Sequence, residues 1–75
     1  MAKREIGIVK WYDNSEGFGF IARRHGEDIY VHYSAILCEG SDCTPVEGDP
    51  VEFTVVEGGN GPEAQEVVVL RRQRD

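Results

Sequence analysis

The sequence predicts an all-β fold, a five-stranded antiparallel closed barrel, and three observations carry that expectation. Short runs rich in β-branched and aromatic residues recur along the chain, several of them alternating with the period of two that sends successive side chains to opposite faces of a strand. Clusters of Gly, Asn and Asp separate these runs at hairpin spacing. The chain is also short, with 75 residues. A chain of about 60 residues buries only about 60% of the surface it exposes when unfolded, and closing the sheet is one way to use so small a core without long sticky edges.

Residues 5 to 13, Glu-Ile-Gly-Ile-Val-Lys-Trp-Tyr-Asp, form the expected first strand. Asp13-Asn-Ser-Glu-Gly17 has the composition of a hairpin turn and returns the chain, antiparallel, into Glu16-Gly-Phe-Gly-Phe-Ile-Ala22. Arg23-Arg-His-Gly-Glu27 is the second turn, where His25 reads as a solvated loop residue, and Asp28 to His32 is the third strand. Ser34-Ala-Ile36 suits one helical turn, with Ser34 as its cap. Residues 37 to 49 contain Gly40 and Pro45 and show no periodicity, which predicts a long crossover loop. Val51-Glu-Phe-Thr-Val-Val56 alternates as a fourth strand, with Val51, Phe53 and Val55 inward and Glu52 and Thr54 outward. Glu57-Gly-Gly-Asn-Gly-Pro62 is a glycine-rich turn; it lacks the Lys-Ser/Thr of a phosphate loop and precedes a strand rather than a helix. Residues 63 to 70, ending in Val-Val-Val-Leu, make the fifth strand. Three tight hairpins and one crossover joining five strands are the strand economy of an OB-fold.

The second and third strands carry the functional signal. Phe18 and Phe20 share one face of their strand, and Tyr30 and His32 share one face of the next. Residues of opposite parity are Gly17, Gly19, Ile21, Ile29 and Val31. A core takes the aliphatic set, because a buried imidazole needs hydrogen-bond partners. The rings are then left in water, and a contiguous patch of rings marks a binding surface. Trp11, beside Lys10, is expected to join it. Rings on adjacent strands suit the stacking of unpaired bases, worth about 1–3 kcal/mol per base with little dependence on its identity. The opposing reading puts the rings in the core and turns Ile21, Ile29 and Val31 outward as a set.

Net charge is −6, from 14 acidic and 8 basic residues. As a sum that opposes nucleic-acid binding, whose usual footprint is basic. The distribution matters more: every Lys and Arg lies at position 3, 4, 10, 23, 24, 71, 72 or 74. Residues 71–75 read as a solvated charged tail on a single domain spanning 1–75. Cys38 and Cys43 lack nearby His and do not make a zinc site, so free thiols are expected, with a disulfide on oxidation as the alternative. No apolar run approaches the roughly 18 residues of a membrane span and no leader is visible, which predicts a soluble, cytoplasmic protein without membrane association. No nucleophile–base pair or metal cluster is legible, so neither enzyme activity nor a cofactor is expected.

Gly7-Ile-Val-Lys-Trp-Tyr12, Gly17-Phe-Gly-Phe-Ile21, Asp28-Ile-Tyr-Val-His-Tyr33-Ser-Ala-Ile36 and the Gly61-Pro62 turn, in this order and spacing, resemble the bacterial cold-shock domain over nearly the whole chain. The resemblance implies an OB-type barrel that binds single-stranded RNA or DNA, typically pyrimidine-rich, and acts without ATP as an RNA chaperone or a regulator of transcription or translation. It implies that Trp11, Phe18, Phe20, Tyr30, His32 and Tyr33 stack on bases or flank them, with Tyr12 beside them. Lys10 matches a phosphate-contacting lysine, and Asp28 an acid that accepts a hydrogen bond from a base edge. Three features depart from the family's pattern: Glu16 replaces a frequent lysine, residues 38 to 46 carry no aromatic, and Asn60 stands where a basic residue is common. These departures weaken the electrostatic and stacking terms. A monomer is expected, with a dimer as the alternative, and the competing function is a protein-interaction module with weakened nucleic-acid binding.

Overall fold

The computed structural model describes residues 4–37, 44–59 and 61–70; Cys38, Cys43, Asn60 and the charged tail lie outside them. The strands are β1 (Arg4–Asp13), β2 (Phe18–Arg23), β3 (Ile29–His32), β4 (Pro50–Gly58) and β5 (Gly61–Val69), with a 3-10 turn, Tyr33–Ala35, after β3. They close into a barrel in the order β1-β2-β3-β5-β4. Four seams are antiparallel, and the seam between β3 and β5 is parallel. Closure demands this: an odd number of strands cannot alternate direction all the way round a ring. The parallel seam is short, pairing Tyr30 with Glu63, and Ile36 bridges to Val67 beyond it.

Ile21, Ile29, Val31, Val51, Phe53 and Val67 are fully buried at the barrel's centre. The aliphatic set of β2 and β3 is thus inward, and the rings of those strands face out. Each such side chain removed from water contributes about 1.5–3 kcal/mol, the main term holding so small a barrel together.

Two bulges reset the alternation. On β1, Val9 faces Ile21 but Trp11 already faces Phe20, so Lys10 is an extra residue. Gly7 and Val9 point inward before it, and Tyr12 packs against the core after it. Lys10 and Trp11 are consequently both exposed. On β5, Val68 faces Glu52 and Gln65 faces Thr54, leaving one extra residue. Glu66 adopts the left-handed conformation there, with φ 52°. The inward set switches from Ala64 to Val67 across it.

Two local expectations are corrected. The cap of the 3-10 turn is His32, whose Nδ1 accepts the backbone N–H of Ser34 at 3.2 Å, and Ser34 sits inside the turn. Thr54, on the outer side of β4 as expected, is nevertheless only 6% exposed. Its register partner Arg4 lies over it, and the guanidinium donates to Oγ1 at 3.0 Å. The described end of the crossover is tied to β1: Gly48 N–H donates to the Val9 carbonyl at 2.8 Å, and Val9 N–H to the Asp49 carbonyl at 2.8 Å. Among the described residues no helix is long and apolar enough to cross a membrane.

Candidate nucleic-acid interface

The interface is built on β2, the middle strand of three. In register, Trp11 of β1 lies beside Phe20 of β2, which lies beside Tyr30 of β3; one step along, Phe18 lies beside His32. Register partners share a face, so these five side chains form two rows on the outside of the barrel. The rings touch. Trp11 meets Phe18 edge-on at 5.5 Å between centroids and Phe20 at 5.6 Å. Tyr30 stacks on Phe18 at 5.9 Å and meets Phe20 edge-on at 5.9 Å. The surface continues from Tyr30 to His32 at 6.5 Å, and from His32 to Tyr33 at 4.5 Å. Trp11 is 40% exposed and Tyr33 62%, while Phe18, Phe20, Tyr30 and His32 are half-buried against one another. Ring pairs of this kind contribute about 0.5–1.5 kcal/mol each beyond area burial, so the platform is held in shape before any ligand arrives.

Two glycines make the arrangement possible. At Gly17, with φ 79°, a Cβ would sit 2.7 Å from the Tyr33 ring, which lies on the bare backbone. Tyr33 N–H also donates to the Gly17 carbonyl at 2.9 Å. Gly19 faces inward opposite Tyr12, just past the β1 bulge, where a Cβ would collide with the Trp11 carbonyl and the backbone of Tyr12. A side chain there would push apart the strands that carry the rings.

The polar groups around the rings are specifically oriented. A backbone N–H can only donate, so the Ser34 N–H fixes His32 Nδ1 as an acceptor, and the Ser34 hydroxyl lies 2.9 Å from the same nitrogen. The ring proton is therefore on Nε2. Lys10 Nζ lies 2.7 Å from Asp28 Oδ2, an ion pair reaching across β2 at the edge of the platform. Asp13 Oδ1 accepts the N–H groups of Ser15 and Glu16 at 2.9 and 3.1 Å, shaping the turn from β1 to β2, with Glu16 exposed on it.

Of the side chains expected at the site, the structure gathers Trp11, Phe18, Phe20, Tyr30, His32 and Tyr33 into one surface and sets Lys10 and Asp28 together at its rim. Tyr12 it places elsewhere: the bulge turns it toward the core, and burial pushes its phenol above the usual tyrosine range. Arg23 is not at the platform's disposal either. It holds Glu5 with two hydrogen bonds, Nε to Oε1 at 3.1 Å and Nη2 to Oε2 at 2.9 Å, and that bond raises its already high pKa. One residue went unread in the sequence. Glu63 is the register partner of Tyr30 across the parallel seam and, next to the inward Ala64, is on the outer face. The inward Ala64 hints at its orientation, but no local pattern says which strand it lies beside. Among the described residues no group of His, Cys, Asp and Glu could hold a metal ion.

Residues 5–70 match the family described as the 'Cold-shock' DNA-binding domain. Among curated relatives, the cold shock-like protein CspLB of Listeria monocytogenes is 48% identical over 66 residues, covering 88% of this chain and 98% of the relative. The cold shock-like protein of Thermotoga maritima is 48% identical over 64 residues, 85% of this chain and 96% of the relative. Cold shock protein CspD of Bacillus subtilis is 47% identical over the same shares. Among solved structures, drosophila Unr CSD456 superposes with a TM-score of 0.75 at 24% identity, a likeness of fold that covers 97% of this chain and 29% of that one.

Proposed function

The chain belongs to the 'Cold-shock' DNA-binding domain family and is a nucleic-acid-binding protein rather than an enzyme; from that premise we propose that it binds single-stranded RNA or DNA by stacking bases on the rings of β1, β2 and β3. The observation that carries this reading is the unbroken run of rings from Phe20 through Trp11, Phe18, Tyr30 and His32 to Tyr33. A pyrimidine-rich strand lies across it with bases inward and phosphates toward water. Tyr33, the most exposed ring, receives the terminal base of the track. Duplex is excluded, because paired bases hide their faces.

Electrostatics contributes little. Of the four Lys and Arg side chains among the described residues, Arg4, Lys10 and Arg23 are in ion pairs with carboxylates, and Arg24 is exposed in the turn after β2. Lys10 is the cation at the platform, and it reaches a phosphate only by leaving or sharing Asp28. Each phosphate neutralised on a single strand gives about 0.7 in the slope of log K against log salt, so a slope of roughly one to two is expected. Because the protein takes up only the unpaired form, it shifts weak RNA hairpins toward open strands without ATP. An RNA chaperone acting as a cytoplasmic monomer fits that chemistry.

Trp11 sits in the platform and reports on it. Titration with a short unstructured pyrimidine strand quenches its fluorescence saturably and with a shallow salt slope, while a duplex of equal length does not. Absence of quenching by the single strand at low salt overturns this function and leaves the protein-interaction reading standing.

A further inference from the structure

Resting on the stacking reading, we infer that two copies of this chain held on one nucleic-acid strand pair through an apolar stripe on the outer face of β1, β4 and β5. Register sets the stripe. Ile8 lies between Ala22 of β2 and Pro50 of β4, and the Leu70 N–H donates to the Pro50 carbonyl at 2.8 Å. In the next row Ile6 lies beside Glu52, and Glu52 beside Val68. Register partners share a face, so the six apolar side chains stand together on the outside of the barrel. Ile6 is 51% exposed, Ile8 45% and Leu70 40%, with Ala22, Pro50 and Val68 half-buried among them. The core is complete without them, since Val9, Val51, Phe53 and Val67 of the same strands fill it. Contiguous apolar side chains in water mark a contact surface where single ones do not.

The stripe lies between two ion pairs. Arg4 holds Glu52 at 3.6 Å on one side, and Lys10 holds Asp28 at 2.7 Å on the other. The rings lie beyond the second pair, so a strand stacked on them leaves the stripe uncovered.

A second copy is the occupant this face selects. Glu52 is the one charged side chain within the two rows, and Arg4 neutralises it. Foreign partners are recognised through complementary charge, and here that charge is already closed within the chain. An apolar stripe of this kind is complementary to itself, which is the requirement of a two-fold contact. In the closed barrel β1 and β4 have strand neighbours on both edges, so side chains make the contact and no strand is added.

Area decides when pairing occurs. Six side chains fall within the about 300–600 Å² of the largest apolar patch on a typical monomer, short of the about 800 Å² per partner that a stable complex buries. Free chains therefore stay single. A shared strand changes the balance, because a flexible tether raises the effective concentration of the second copy to about the millimolar range. The strand loops from one platform to the other while the stripes meet, and long unpaired tracts are covered in preference to short ones.

The test compares a strand carrying one pyrimidine tract with a strand carrying two, joined by a flexible polyethylene glycol spacer. Each is titrated at fixed salt by Trp11 fluorescence, and sedimentation counts the copies bound. Wild type is expected to take up its second copy on the two-tract strand about tenfold more tightly than independent sites allow. Ile6→Thr with Ile8→Thr should remove that factor and leave affinity for the one-tract strand within about twofold. Thr keeps the β-branched shape that strands favour, and both positions are exposed, so the barrel is retained. Leu70→Ser, at the far end of the stripe, should weaken the coupling from β5. Independent binding of two copies by wild type overturns the inference and leaves the stripe to another protein. Coupling that survives these substitutions places the contact elsewhere and overturns it as well. A one-tract strand that fails to quench wild type overturns the stacking reading itself, which keeps the two failures apart.

Discussion

The strand β1 serves two outward faces of the barrel, and they are opposites. Where its first half lies against β4, Arg4 reaches across to β5 and closes the surface on itself. Its guanidinium donates to Thr54 Oγ1 at 3.0 Å and to the Glu66 carbonyl at 2.8 Å, with the carboxylates of Glu52 and Glu66 within 3.6 and 3.8 Å. The charge there is spent inside the molecule, holding the β5 bulge in place. Beyond Lys10, where β1 lies against β2, the outer face is instead a set of rings packed against one another and partly open to water. A face that satisfies its own hydrogen bonds stabilises the fold, and a face that leaves π-surface in water waits for something to cover it. Among the described residues the one ion pair on the ring face, Lys10 with Asp28, stands at its rim.

The largest effect should come from breaking the ring face. Replacing Phe18 and Phe20 together by Ala removes two stacking surfaces worth about 1–3 kcal/mol each. Single-strand affinity should fall by about a hundredfold or more, with the far-UV circular dichroism of the barrel retained. Unfolding of the double variant, or intact binding, breaks the contrast at its root.

Arg4→Ala tests the other side. Losing charge-assisted hydrogen bonds on a part-exposed surface costs about 1 kcal/mol, visible as a lower thermal midpoint. Affinity for a single strand should stay within about twofold, since that pair of effects is what separates a structural face from a binding face. A parallel drop in affinity would mean that the two faces are coupled through the bulges.

The smallest effect concerns the rim. Asp28→Asn releases Lys10, and if the freed lysine moves onto a phosphate the salt slope steepens by about 0.7. Affinity at low salt should change by no more than about fivefold, the scale of an exposed ion pair. An unchanged slope with weaker binding would instead place Asp28 on a base edge and leave Lys10 idle.

Much of the ring face was legible in the chain. Phe18 and Phe20 with Ile21, and Tyr30 and His32 with Ile29 and Val31, state their parity within a few residues, and only one assignment of faces gives an aliphatic core. Trp11 was read correctly as exposed, though for adjacency rather than for its cause, the bulge at Lys10. The same bulge explains why Tyr12 was placed with the rings: continuing the run of β1 aromatics takes no account of an inserted residue. On β5 the stretch Val67-Val68-Val69-Leu70 is apolar throughout, so it carries no period from which the switch at Glu66 could be read. His32 as a cap was hidden because Ser34 is the more usual capping residue.

What the sequence by itself determined is the set of strands, the turns between them and which side chains of β2, β3 and β4 face the core. Alternation along a strand is a local property, set by the geometry of an extended backbone and by the transfer of aliphatic side chains out of water. What only the tertiary structure decided is who stands beside whom: the parallel seam that puts Glu63 next to Tyr30, the pairing of Lys10 with Asp28, and the two bulges that exchange inside for outside. Register and closure depend on residues distant in the chain meeting across a ring of five strands, and no short-range pattern encodes where that ring must slip by one residue to shut.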